Sequence, residues 1–189
     1  SKKDKGALKL AYKRIYFYHN KQRKTSYSYK DQLDTKFHIQ WNPIDNVGLY
    51  IPGGMASYPS TVLMTSIPAK IANVPNVMLC VPSKNGITSN LTLAAAYLCD
   101  VDYVYNIGGA QAIAAFAYGT KIIKKADKVF GPGNQFVAEA KKQLFGTIGI
   151  DLPAGPSEVL VIANYKSNPN WIAYDVLAQA EHDPNAKTY

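Results

Sequence analysis

From residue 47 to residue 163, short apolar runs alternate with segments of helical period, and this alternation constrains the fold more than anything else in the 189-residue chain. Runs at 47–51, 77–81, 103–107, 128–130, 148–152 and 158–163 read as strands. The second is continuously apolar, which is the mark of a strand buried on both faces. Between the runs, residues 59–72, 88–99, 110–118 and 135–145 read as helices, and a last helix is expected over 170–182. Val62, Leu63, Ile67 and Ile71 form the inner stripe of the first of these, where Pro68 predicts a kink or a break. A repeat of about 25–30 residues per strand–helix unit implies βαβ crossovers and a parallel sheet. The expected class is α/β, Rossmann-like, with helices on both faces.

The first fifty residues differ. Leu8, Tyr12, Ile15 and His19 fall at i, i+4, i+7 and i+11, with Lys and Arg on the other face, so a helix is expected over about 5–24. Phe37, Ile39 and Trp41 alternate with His38 and Gln40, which predicts a half-buried strand closed by Asn42-Pro43. The formal charge of +8 sits mostly here: residues 1–50 carry 11 Lys and Arg against 4 Asp. Those bases are spread along one helix and no nucleic-acid-binding motif follows, so a solvated helix face is the expectation and nucleic acid is not an expected partner. No window reaches the roughly 18 apolar residues of a membrane span, so no membrane partner is expected. Only Cys80 and Cys99 are present, both in apolar surroundings, which excludes a disulfide scaffold and points to a reduced, cytoplasmic setting. The absent initiator Met, and a C-terminus at the point where another strand is due, suggest a piece of a longer chain.

Chemistry is expected at the carboxyl ends of the parallel strands. Gly108-Gly109 and Gly131-Pro132-Gly133-Asn134 both join a strand to a helix there. Such turns either bring a phosphate to a helix N-terminus or are simply tight, and Asn134 reads as a ligand contact or a plain N-cap. The run Asp151-Leu152-Pro153-Ala154-Gly155-Pro156-Ser157-Glu158 is either a rigid domain crossover or a substrate-contacting loop. In Gln179-Ala180-Glu181-His182-Asp183-Pro184, Gln179 and His182 share a helix face, as half of a zinc site or as surface residues. His19 and His38 lack metal-ligand spacing and read as structural.

Five runs taken together resemble the histidinol dehydrogenase family: Val47 to Gly54, Asn106 to Ala115, Phe130 to Asn134, Asp151 to Leu160, and Gln179 to His182. The resemblance implies an NAD-dependent zinc enzyme of histidine biosynthesis that oxidises L-histidinol to L-histidine through histidinal. It implies that Tyr50, Gln111 and Asn134 contact NAD, that Ser157, Gln179 and His182 contact the substrate, and that Gln179 and His182 bind Zn2+. It implies a pair of incomplete Rossmann-like domains in a homodimer. Residues 50–156 would then be the nucleotide-binding domain, while 1–49 and 157–189 belong to the other. Family chains are more than twice as long, and their catalytic base lies beyond this span, so the 189 residues alone are expected to be inactive. Besides a relative of the family acting on another amino alcohol, two alternatives remain. One is a non-catalytic nucleotide- or partner-binding paralogue. The other is an aldehyde dehydrogenase, which needs a nucleophilic cysteine.

Overall fold

A computed structural model describes residues 1–53, 57–83, 86–152, 157–181 and 186–189. It divides into two compact units, Ser1–Pro153 and Ala154–Tyr189.

The first unit begins with helix α1 (Lys2–Asn20), capped where the Ser1 hydroxyl accepts the Asp4 N–H and the Asp4 carboxylate reaches back. A ribbon of β1 (Tyr27–Lys30) and β2 (Lys36–Ile39) follows. Then come β3 (Asn46–Tyr50), α2 (Pro59–Ile71), β4 (Asn76–Cys80), α3 (Asn90–Leu98) and β5 (Tyr103–Tyr105). The unit closes with α4 (Ala110–Tyr118), β6 (Lys128–Phe130), α5 (Gln135–Leu144) and β7 (Gly149–Ile150). The second unit holds β8 (Glu158–Val159), α6 (Pro169–Ala180) and β9 (Lys187–Thr188), with β8 and β9 paired in parallel.

Five strands form one parallel sheet in the order β5-β4-β3-β6-β7. The earliest strand is central, and the chain builds outward on one side before crossing to the other. That is a doubly wound sheet, and its order reverses between β3 and β6. The central strands are buried on both faces because successive side chains point to opposite sides. Val47, Leu49, Val77 and Leu79 enter a core with α2 and α3, against which Leu8, Ala11, Tyr12 and Ile15 of α1 also pack. Tyr50, Met78, Cys80 and Val129 enter a second core with Ile113 and Phe116 of α4 and Val137 of α5. Each fully buried aliphatic side chain contributes about 1.5–3 kcal/mol toward holding the sheet. At its amino edge, aspartates serve the first strand N–H groups. Asp127 accepts from Asn46 at 2.7 Å and Asp102 from Val77 at 2.8 Å.

Several expectations change. Helix α2 runs through Pro68 to Ile71 without a break. A proline in the last turn forfeits one backbone bond, while Leu63, Ile67 and Ile71 still seat the helix on the core. The strand expected to be half-buried is exposed along its whole length, as is its partner β1, which the sequence reading missed. Phe37 and Tyr29 stack on one another, 5.1 Å between centroids, instead of on a core. Alternation signals one apolar face but not what covers it. The run at 158–163 shortens to two strand residues.

Candidate functional site

Three loops meet at the carboxyl edge, where the sheet order reverses. Tyr50 ends β3 and is only 4% exposed. Its hydroxyl accepts the Gly109 N–H at 3.0 Å, tying the central strand to the start of α4. Burial pushes the Tyr50 pKa up, against a smaller opposing pull from that same bond. The phenol therefore keeps its proton at neutral pH and can still donate it. Gly109 is the N-cap of α4 and offers no side-chain cap; the Ala112 N–H donates to the Gly109 carbonyl at 3.1 Å, which leaves the N–H groups of Ala110 and Gln111 facing the edge. Gln111, exposed, stands in that first turn.

The third loop follows β6. Gly131 sits at φ +117 and is buried against the Tyr50 carbonyl. Three residues on, the exposed Asn134 caps α5, its Oδ1 accepting from Phe136 and Val137 at 3.1 Å each. The plain cap reading of Asn134 thus holds for the oxygen, while the Nδ2 donors are not used by the cap. The uncapped first turn of α4, with the Tyr50 phenol and the exposed Gln111 and Asn134 amides at the same sheet edge, suits the phosphates and polar edges of a dinucleotide.

Ser157 and Gln179 belong to the second unit. Ser157 is exposed before β8, and Gln179 is half-buried in the last turn of α6. His182 lies outside the described residues, as do Gly54 and residues 153–156 of the Pro/Gly run. Among the described residues no group of three His, Cys, Asp or Glu side chains could hold a metal. Gln179 alone does not make a zinc site, and no zinc chemistry follows from the described residues.

Sequence reasoning missed Lys141 and Asp151. Lys141 is 3% exposed, and its Nζ donates to the Gly131 carbonyl at 2.6 Å and to Asp151 Oδ1 at 2.5 Å. Asp151 Oδ2 accepts the Gly131 N–H at 2.8 Å. The signal was present: Val137, Lys141 and Leu144 fall at i, i+4 and i+7, which sets a lysine on the inner stripe of α5.

A cavity of about 680 Å3 lies elsewhere, on the sheet face beside α2, lined by Trp41, Ile44, Met64, Pro68 and Phe130 among others. None of the six candidate residues lines it.

Both cysteines are buried, and desolvation pushes their thiols up to about 12. Neither is a ready nucleophile, which removes the support for an aldehyde dehydrogenase built on them. The shift has a consequence for stability. A thiol whose folded pKa is raised contributes nothing adverse below its unfolded value, near 9. From there toward pH 12 the unfolded chain ionises first and stability falls, by about 1.4 kcal/mol per pH unit for each thiol. Urea unfolding at pH 8 and pH 10.5 checks this. The loss is expected to be smaller in a Cys80→Ala/Cys99→Ala variant, and equal losses in both proteins would contradict it.

The chain matches the family model for histidinol dehydrogenase over residues 1–189. It is 54% identical to histidinol dehydrogenase of Rhizobium meliloti across 96% of its own length and 42% of that protein's. It is 51% identical to histidinol dehydrogenase 1 of Trichormus variabilis across 97% of its length and 43% of that protein's. The crystal structure of histidinol dehydrogenase from Elizabethkingia anophelis is similar at a TM-score of 0.90 and 42% identity, covering 97% of this chain and 43% of that one. The chain thus spans less than half the length of the relatives it matches. The family model covers all 189 residues and the relatives match nearly all of them: the chain belongs to the histidinol dehydrogenase family.

Proposed function

We propose that this chain supplies the nucleotide-binding part of an enzyme that oxidises L-histidinol to L-histidine through histidinal, in two NAD-dependent steps of histidine biosynthesis. The observation that carries this reading is the family match over all 189 residues. NAD, when bound, supplies the hydride acceptor. Tyr50, Gln111 and Asn134 would hold it. Tyr50 would donate its phenolic proton while keeping the start of α4 in place, Gln111 would offer its exposed amide, and Asn134 its Nδ2 donors. Ser157, Gln179 and His182 would contact the substrate, with Gln179 and His182 as zinc ligands in the complete protein. Support for the last assignment is the resemblance of Gln179 to His182 to the family's run and the half-buried position of Gln179 at the end of α6.

In the domain division that accompanies this reading, residues 50–156 form the nucleotide-binding domain together with the rest of β3 from Asn46, its central strand, and the remainder of 1–49 with 157–189 contributes to another. The exposed β1–β2 ribbon is the part of 1–49 that best suits such a role, since α1 packs on the sheet's own core. A homodimer in the cytoplasm is proposed for the complete protein. No helix among the described residues is long and apolar enough to cross a membrane.

The test is L-histidinol-dependent NADH formation by the full-length protein, with the 189-residue chain expected to show none. Tyr50→Phe, which removes one hydroxyl and orphans the Gly109 N–H, is expected to raise the KM for NAD by about 3–10-fold, the worth of one hydrogen bond. The KM for L-histidinol should move less. Absence of histidinol-dependent turnover in the full-length protein would refute the reading.

A further inference from the structure

We propose that Lys141 and Asp151 are positioning residues, a partly buried ionic clamp that sets the Gly131–Asn134 loop for nucleotide binding; the inference rests on the NAD reading of the carboxyl edge. Both backbone groups of Gly131 are engaged by this one pair. Lys141 Nζ donates to its carbonyl at 2.6 Å, and Asp151 Oδ2 accepts its N–H at 2.8 Å. The second carboxylate oxygen closes the triangle with Lys141 Nζ at 2.5 Å. The three partners come from three places in the chain: the turn after β6, the inner face of α5, and the residue after β7.

Lys141 is buried while the Asp151 side chain is 25% exposed, and an ion pair with one charge taken out of water is a poor device for stability alone. Desolvation consumes most of its Coulombic gain, and apolar replacements of similar volume are often neutral or better. The inner stripe of α5 would accept Leu or Met at position 141, beside Val137 and Leu144. What an apolar pair lacks is direction. Two charged groups with fixed hydrogen-bond geometry hold the Gly131 peptide planes at one angle, and the loop from that point leads straight into the α5 N-cap. Asn134 is three residues away, with its oxygen already committed to the helix, so its remaining donors point where the loop directs them. Loss of the clamp should therefore blur the cofactor site and leave the substrate contacts on the other unit alone.

The experiment compares the full-length protein with its Lys141→Met and Asp151→Asn variants, at a temperature where near-ultraviolet circular dichroism shows them folded. Asp151→Asn keeps an acceptor for the Gly131 N–H, so it carries the test if Lys141→Met does not fold. The KM for NAD is expected to rise tenfold or more, with the KM for L-histidinol changed less than twofold. A lowered melting temperature with an unchanged KM for NAD would overturn the proposal, because a purely structural pair moves stability only. Failure of both variants to fold would overturn it as well, by making the pair a requirement of the fold. If the unsubstituted protein shows no saturable dependence on NAD, the reading of the site falls, and the clamp falls with it.

Discussion

Gly131→Ala is expected to cost the chain about 2–5 kcal/mol, a large share of the 5–15 kcal/mol that holds a typical domain together. Two independent penalties add. At φ +117 an L side chain is strained by about 1–2 kcal/mol. A Cβ built there would also lie 2.0 Å from the Tyr50 carbonyl oxygen and 2.9 Å from its carbon. Those atoms belong to the backbone of the central strand and cannot turn aside as a side chain can, so relief means moving β3 or the loop, at about 1–3 kcal/mol more. Moving the loop also strips Lys141 and Asp151 of their bonds to Gly131. Gly146→Ala separates the terms. Gly146 has φ +96 with nothing within 4 Å of the added methyl, so it should show the strain alone, about 1–2 kcal/mol. Urea midpoints of the two variants decide: equal losses would mean that the contact with Tyr50 is not what makes this glycine necessary.

The second large effect is expected from Phe116→Ala, at about 3–5 kcal/mol. Phe116 is completely buried on α4 and is among the largest side chains in the core facing α4 and α5. Its ring lies over Gly48 of β3, where a Cβ would meet ring carbons at 2.7–2.9 Å. The strand gives up a side chain at its centre so that the helix can lay an aromatic ring on the bare backbone. This pairing makes a sharper claim than the cavity cost. Gly48→Ala should be destabilising in the natural background and much less so beside Phe116→Ala, because the ring that would clash is gone. A double-mutant cycle should return a coupling of about 1 kcal/mol or more. Additive losses would mean that ring and glycine are not matched.

The sheet was legible in the sequence because apolar period and turn chemistry are local properties. Helix α4 over Ala110–Tyr118 and strand β6 over Lys128–Phe130 fall where the pattern sets them, and Val77 to Cys80 carries the expected burial on both faces. The order of strands was not legible. Nothing in the runs says that β3 lies between β4 and β6, yet that order puts the Tyr50 turn beside the Gly131 loop. The ribbon failed for a related reason: Phe37, Ile39 and Trp41 announce an apolar face, and only contacts distant in sequence determine whether anything covers it. The candidate NAD residues came from the resemblance and not from spacing, since neither glycine turn is specific by itself.

The sequence by itself determined the class of fold, the positions of most helices and strands, and membership of the histidinol dehydrogenase family, because each rests on local periodicity or on motifs read in order. Tertiary structure alone decided that the Tyr50 hydroxyl accepts the Gly109 N–H and that Lys141 is buried against Asp151. Each of these joins groups that a crossover brings together or that a helix turns inward. A hydrogen bond needs both partners within about 3 Å, which is a property of the folded chain.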